Sequence, residues 1–211
     1  MRTEDLIRAH ADDSVIRSEP VIRRFLTLAI VGVLGAACVF VVTLTPRGDL
    51  AAVIGTPRVA FKFVATLTLI AVAGLLAFRA TRPEAQLRLR AVLAPVLTLL
   101  AVAIVAELIA SPPAAWLPLL IGTNSLACMA LVPLLSLVPL GAILMALRHG
   151  APSDPRLAGA AAGFLAGGIG ATFYATHCVD DSPLFVATWY GLSITVVAIL
   201  GAALGARTLR W

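Results

Sequence analysis

The apolar run LAGAAAGFLAGGIGATFYA, residues 157–175, is long enough to cross a lipid bilayer as a helix. A short polar link, THCVDDSP (176–183), joins it to a second apolar run, LFVATWYGLSITVVAILGAALGA (184–206). Glycines recur at four-residue spacing in both runs, at Gly159, Gly163 and Gly167 and again at Gly201 and Gly205. Small residues on one face allow two helix backbones to approach closely. The stretch therefore predicts a tight pair of transmembrane helices with the link held between them.

Four further apolar runs precede this pair, at about residues 25–44, 59–78, 91–110 and 125–147. The 211-residue chain is 60% hydrophobic and 13% charged, whereas a soluble domain is about 25% charged. The runs lack the period-two alternation of barrel strands, and only helices and closed barrels satisfy their own backbone in lipid. We therefore expect an all-α integral membrane protein, a bundle of six transmembrane helices in a lipid bilayer.

The basic residues predict the orientation of the bundle. Six spans place both termini on one side, and that side carries thirteen of the sixteen basic residues: Arg2, Arg8, Arg17, Arg23, Arg24, Arg79, Arg82, Arg88, Arg90, Arg148, Arg156, Arg207 and Arg210. The other side has Arg47, Arg58 and Lys62. The positive-inside rule makes both termini cytoplasmic. We expect a bacterial inner-membrane protein with an N-terminal segment (1–24), a transmembrane domain (25–206) and a C-terminal tail (207–211).

The polar link carries reactive chemistry. It contains His177, Cys178, Asp180 and Asp181, and Cys128 lies about one turn into the fourth span from the same membrane face. The two thiols could form a disulfide there, and the His177 imidazole could lower the pKa of Cys178. The alternative is that both are small buried apolar residues, which is the better interpretation for the third cysteine, Cys38.

A soft metal ion is a further possibility at this face. The candidate ligands are Cys128, Met129, His177 and Cys178, which would suit copper, zinc or cadmium. The sequence has no CxxC pair, so we rank a metal site below a thiol switch. We find no catalytic carboxylate pair, serine triad, phosphate-binding loop or nucleic-acid patch, and we expect neither an enzyme nor a small-molecule substrate.

Two charges lie within the predicted spans. Lys62 and Glu107 are each about four residues from the same membrane face and have opposite signs. Intramembrane charges are usually functional. Their similar depth predicts a salt bridge between them that joins the second and third spans in a structural role.

The N-terminal segment begins like a helix. Thr3 is a candidate cap, Glu4 and Asp5 occupy the first turn, and Leu6 and Ile7 lie on one stripe. A solvated, frayed leader and a docking peptide that folds on a partner are both consistent with these residues.

Several stretches together resemble one family, the negative regulators of sigma F, which are six-span inner-membrane anti-sigma factors. They include the sequence from Cys128 to Leu140, ALRHGAP (146–152), YATHC (174–178), DSPLF (181–185), WYG (189–191) and the ending LRW (209–211). TEDLI (3–7) and Phe61-Lys62 fit as well. The similarity extends over the whole chain, and it is thin in residues 9–55.

The resemblance implies a function. The N-terminal segment, with Thr3, Glu4, Asp5, Leu6 and Ile7, would hold an extracytoplasmic-function sigma factor at the membrane. Cys128 and Cys178, with His177 beside them, would sense metal or oxidant stress, with chromate, cadmium and copper as candidate cues. Asn124–Leu126 and Val179–Asp180 depart from the family pattern next to these cysteines. The rival functions are a membrane thiol-disulfide oxidoreductase and a small transporter.

Overall fold

The structure, a computed structural model, describes residues 21–82 and 89–209. Six helices in this part of the chain are long and apolar enough to cross a membrane. They are α1 (Val21–Thr43), α3 (Pro57–Arg79), α4 (Leu89–Ala110), α6 (Ser125–Leu147), α7 (Pro155–Ala175) and α8 (Pro183–Thr208). Two shorter helices, α2 (Leu50–Val53) and α5 (Pro113–Ile121), lie in the connections. The predicted helical class and the six spans are confirmed, whereas the cytoplasmic position of the termini stays a prediction.

The centre of the bundle is α7. It packs most extensively against α8 and also against α6, α3 and α1. Close backbone approach explains the first of these contacts: a Cβ added to Gly163 would lie 2.5 Å from the Cα of Ala198. The glycines of α7 and α8 face each other across this interface, as their spacing predicts.

The outer helices are attached less extensively. Gly32 and Gly35 of α1 lie against Pro139 and Val138 of α6. The α4 helix packs mainly against α3 and the first turn of α8, and most of its surface is exposed. In a membrane protein these exposed apolar faces are the ones that contact lipid.

Both helices that flank the link begin with a cap. The Asp154 carboxylate accepts hydrogen bonds from the backbone N–H groups of Arg156 and Leu157 at the start of α7. The Ser182 hydroxyl accepts one from the N–H of Leu184 at the start of α8. Proline follows each cap at the first helical position, where its missing N–H has no cost.

A π-helical turn at Val186–Tyr190 lies within α8 and begins about one turn after the link. Such turns shift the register of a helix and occur often at functional sites. Here the turn includes Trp189, whose indole N–H donates to the carbonyl of Leu120 at 2.8 Å. The indole therefore ties α8 to α5.

The connections 44–56, 111–124 and 176–182 lie at one end of the bundle, which we call the thiol end because Cys178 belongs to it. The chain enters α1 and leaves α8 at the opposite end. The predicted sigma-binding residues Thr3, Glu4, Asp5, Leu6 and Ile7 lie outside the described residues, and the division into segments 1–24, 25–206 and 207–211 stays a prediction.

Candidate functional site

The link between α7 and α8, residues 176–182, is here called the Cys178 loop. It has contacts on three sides. The backbone N–H of Arg47 donates to the carbonyl of Thr176 at 3.0 Å. The His177 Nδ1 atom lies 2.7 Å from the carbonyl oxygen of Thr45, so its N–H donates to the connection that follows α1. The link is held in place, as the glycine pattern predicts.

Asp181 is the centre of an ion cluster beneath the loop. Its carboxylate lies 2.7 Å from Arg47 Nη1 and 2.5 Å from Lys62 Nζ. The Lys62 side chain is fully buried, and its ammonium also donates to the carbonyl of Cys178 at 3.0 Å. A buried ammonium is costly unless it is paired and hydrogen-bonded. The loop provides both partners, so it neutralises the charge that α3 brings into the bundle.

Arg47 extends the cluster to the surface. Its guanidinium holds Asp49 at 2.7 Å as well as Asp181, and it donates to the Cys178 carbonyl at 3.3 Å. The hydrogen bonds from Arg47 hold the pKa of Asp49 below its ordinary value. Two cations and two carboxylates therefore balance each other under the loop.

The predicted salt bridge between Lys62 and Glu107 is wrong. Lys62 pairs with Asp181, and the Glu107 carboxylate pairs with Arg58, 2.6 Å from Nη2. Arg58 and Lys62 are one turn apart on the same face of α3, so depth alone could not decide which of them Glu107 would meet. Both pairs have a structural role: one fastens the loop to α3 and the other fastens α4 to α3.

Asp180 holds the loop on its third side. Its carboxylate accepts hydrogen bonds from the backbone N–H groups of Thr123 (3.1 Å) and Asn124 (2.8 Å), just before α6 begins. Gly122 precedes them with φ of +60°, and a Cβ there would lie 2.9 Å from Asp180 Cγ. Only glycine combines that backbone conformation with this close approach.

The Cys178 thiol is buried, with a residue exposure of 1%. Burial raises the pKa of Cys178 above its ordinary value, and the nearby Lys62 ammonium opposes this effect without reversing it. The prediction that His177 makes Cys178 a low-pKa thiolate is therefore wrong. The imidazole hydrogen-bonds to α1's connection, and the thiol points into the bundle.

Cys128 lies in the same buried compartment. It is fully buried in α6 and belongs to the same buried hydrophobic cluster as Cys178. Both cysteines are free. The Ser193 hydroxyl of α8 lies against Cys128: its oxygen is 3.9 Å from the sulfur and 3.2 Å from the Cys128 carbonyl oxygen, and 2.7 Å from the Trp189 carbonyl oxygen in its own helix. The same hydroxyl is 3.4 Å from the sulfur of Met129, a predicted metal ligand.

Sequence reasoning missed two tyrosines in this compartment. The hydroxyls of Tyr174 and Tyr190 are buried and have no hydrogen-bond partner within residues 21–82 and 89–209. Their ring centroids are 5.8 Å apart, and Lys62 Nζ is 6.0 Å from the centroid of Tyr190. Both tyrosines belong to motifs that carry the family resemblance, YATHC and WYG. That resemblance is the feature of the sequence that could have identified them as candidate site residues.

The predicted metal ligands do not form a cluster of the kind that commonly binds a metal ion. In the part of the chain that the structure describes, no group of three or more His, Cys, Asp and Glu side chains is arranged to hold a metal ion. The His177 ring nitrogen lies against the carbonyl of Thr45, and the two thiols remain as the soft ligands that belong to one buried cluster. The third cysteine, Cys38, is exposed on α1, so its prediction as a core residue is wrong.

Comparison with known proteins identifies the family. The family model described as negative regulator of sigma F matches residues 10–211. This chain belongs to the negative regulator of sigma F family. A relative from Caulobacter vibrioides (strain NA1000 / CB15N), the "Anti-sigma-F factor NrsF", is 38% identical over the full length of both chains. A second from Azospira oryzae, the "Probable anti-sigma-F factor NrsF", is 34% identical over the full length of both.

No solved structure matches the chain. The family description is that of a regulator, and the predicted resemblance is confirmed over the whole length. In this family member, the described residues bring Cys128, Cys178, Tyr174 and Tyr190 together beside a charged cluster. His177 stays at the margin of that compartment.

Burial gives a prediction for the reactivity of Cys178. Only the thiolate reacts with maleimides, so labelling of Cys178 in a Cys38→Ser, Cys128→Ser variant should be slow at neutral pH. The rate should still be rising at pH values above the ordinary thiol pKa, because the pKa of Cys178 is raised.

The matched control places a cysteine at Val179, which is 53% exposed, in a variant that has serine at all three native cysteines. We expect it to react roughly tenfold faster or more at neutral pH. Stopped-flow fluorescence with a pH series measures both rates. Equal rates at the two positions would contradict the burial of the thiol.

Proposed function

We propose that this chain is a membrane anti-sigma factor of an extracytoplasmic-function sigma factor. Residues 1–24 hold the sigma factor, and a reaction at Cys128 and Cys178 releases it. Family membership and the printed names of the two full-length relatives support the output. The observation that carries the sensory part is the pair of free, buried thiols behind a loop fastened by ion pairs.

The distribution of basic residues supports an orientation. In the sequence, thirteen of the sixteen Lys and Arg residues belong to the N- and C-terminal segments or flank the connections after the second and fourth spans, whereas Arg47, Arg58 and Lys62 are at the thiol end. Under the positive-inside rule, the thiol end then faces the periplasm and both termini are cytoplasmic. A disulfide can form and persist on the periplasmic side.

Two kinds of stimulus fit the thiols. A soft divalent metal ion such as cadmium would bind both sulfurs and displace two protons. An oxidant that accepts two electrons would convert the two thiols into a disulfide and release two protons. Either product needs the sulfurs of α6 and the Cys178 loop to move together, because both cysteines are free in the resting state.

The helices that hold the thiols supply a route to the other side. Ser193 links Cys128 to α8, and the Cys178 loop is continuous with α7 and α8. A helix of about twenty residues spans roughly 30 Å. A shift of α6 against α7 and α8 would therefore reach the opposite end of the bundle, where the chain enters α1 at Val21. Allosteric coupling of this kind needs only about 1–3 kcal/mol.

Deletion tests the output. A chain lacking residues 2–18 should fail to hold the sigma factor, so sigma-dependent transcription should rise to the level of a strain without the chain. A reporter fusion measures transcription, and immunoblots confirm that the sigma factor and the truncated chain are both present. Transcription that stays low with both proteins present would contradict the proposal.

Serine substitutions test the sensor. Cys128→Ser and Cys178→Ser should keep the resting repression and lose the response of the same reporter to cadmium. Cys38→Ser is the matched control, because Cys38 lies on the exposed face of α1 and should leave the response intact. An unchanged cadmium response in both test variants would remove the thiols from the mechanism.

A further inference from the structure

A second site lies beside the thiol compartment. A cavity of about 770 Å³ opens at the thiol end between α3, α4, α5 and the Cys178 loop. This volume is within the range of about 300–1,000 Å³ that is typical of small-molecule sites. The side chains that matter for its chemistry come from all four elements: Arg58, Phe61, Ala106, Glu107, Pro118 and Asp180.

The charges around the cavity do not cancel. Arg58 and Glu107 form one ion pair, 2.6 Å apart, and their charges cancel. Lys62 and Arg47 carry two positive charges, which are balanced by the two carboxylates that they contact, Asp181 and Asp49. Asp180 has only neutral donors, the N–H and side-chain groups of Thr123 and Asn124, among the residues that the structure describes. The cavity and its ion partners therefore carry a net charge of about −1.

The remaining lining is mainly apolar, with Thr56 and Ser182 as its neutral polar residues. Phe61 from α3, Pro118 and Leu119 from α5, and alanines from α4 form most of the wall. An anion would be repelled by the net charge, and a strongly hydrated inorganic cation would lose water without gaining apolar contacts. A ligand that combines one positive charge with an apolar body matches both properties of the site.

We propose that this cavity binds a small organic cation with an apolar body, such as a quaternary ammonium or phosphonium compound, with its charge next to Asp180. The site is separate from the thiols and does not depend on the proposed sigma-factor function. It is connected to one of them through Asp180, whose backbone carbonyl lies 3.9 Å from the Cys178 sulfur. A cation bound in the cavity would therefore contact Asp180, the residue whose carbonyl accepts from the Cys178 thiol.

The probe is tetraphenylphosphonium, and its control is tetraphenylborate, which has the same shape and the opposite charge. Equilibrium dialysis uses the purified full chain in phosphatidylcholine nanodiscs, and binding to empty nanodiscs is subtracted. We expect saturable binding of about one phosphonium per chain, and no saturable binding of the borate.

Two variants locate the site. Asp180→Asn removes the charge, and Ala106→Phe fills the cavity from the peripheral helix α4; each should weaken phosphonium binding roughly tenfold or more. Ala101→Phe is the matched control, because Ala101 is exposed on α4 and does not line the cavity. Its binding should equal that of the unmodified chain. Gel filtration confirms the fold of each variant.

Three results would overturn the proposal. The first is that the borate binds as well as the phosphonium. The second is that phosphonium binding is unchanged in both Asp180→Asn and Ala106→Phe. The third is that phosphonium binds in phosphatidylglycerol nanodiscs and phosphatidylcholine abolishes this binding. The last result would assign the cavity to a lipid headgroup.

Discussion

The ammonium of Lys62 sets the main constraint on this bundle. It lies inside a transmembrane helix with no exposure to solvent, and a charge in that position must be neutralised by the protein. The Cys178 loop neutralises it with the carboxylate of Asp181 and the carbonyl of Cys178. If the loop left its place, the ammonium of Lys62 on α3 would remain buried without its partners. Its position, and with it the burial of the Cys178 thiol, follows from this requirement.

In the proposed function, the same constraint would make the site sensitive to a change at the thiols. The backbone of Cys178 is fixed by Lys62 and Arg47, while its sulfur lies in a compartment with Cys128 and two tyrosine hydroxyls. In the proposed function, a metal or oxidant that draws the two sulfurs together would act against these fixed contacts, and the helices that carry or adjoin the thiols, α6, α7 and α8, would have to move. A loosely held loop would absorb the same change without transmitting it.

The sequence predicted the helices well and the charge pairing poorly, for physical reasons. Long apolar runs have one solution in lipid, so the six spans are correct to within a few residues. Glycine spacing identified the α7–α8 contact because residues four apart lie on one helix face, and a face of glycines lets another helix approach closely. By contrast, Glu107 could pair with Arg58 or Lys62, which share a face of α3, and only the position of α4 decides between them. The pKa of Cys178 depends on burial, which the polar character of its loop concealed.

Amide hydrogen exchange tests the central role of the Lys62–Asp181 pair. The N–H groups of Arg47, Thr123 and Asn124 donate to the Cys178 loop and report its attachment. Removing one member of a buried ion pair costs about 3–5 kcal/mol, so Lys62→Met in nanodiscs should speed exchange at these amides roughly hundredfold or more. Arg148→Met, an exposed position at the opposite end, should leave exchange unchanged. Equal protection in Lys62→Met and the unmodified chain would show that the loop is held by something else.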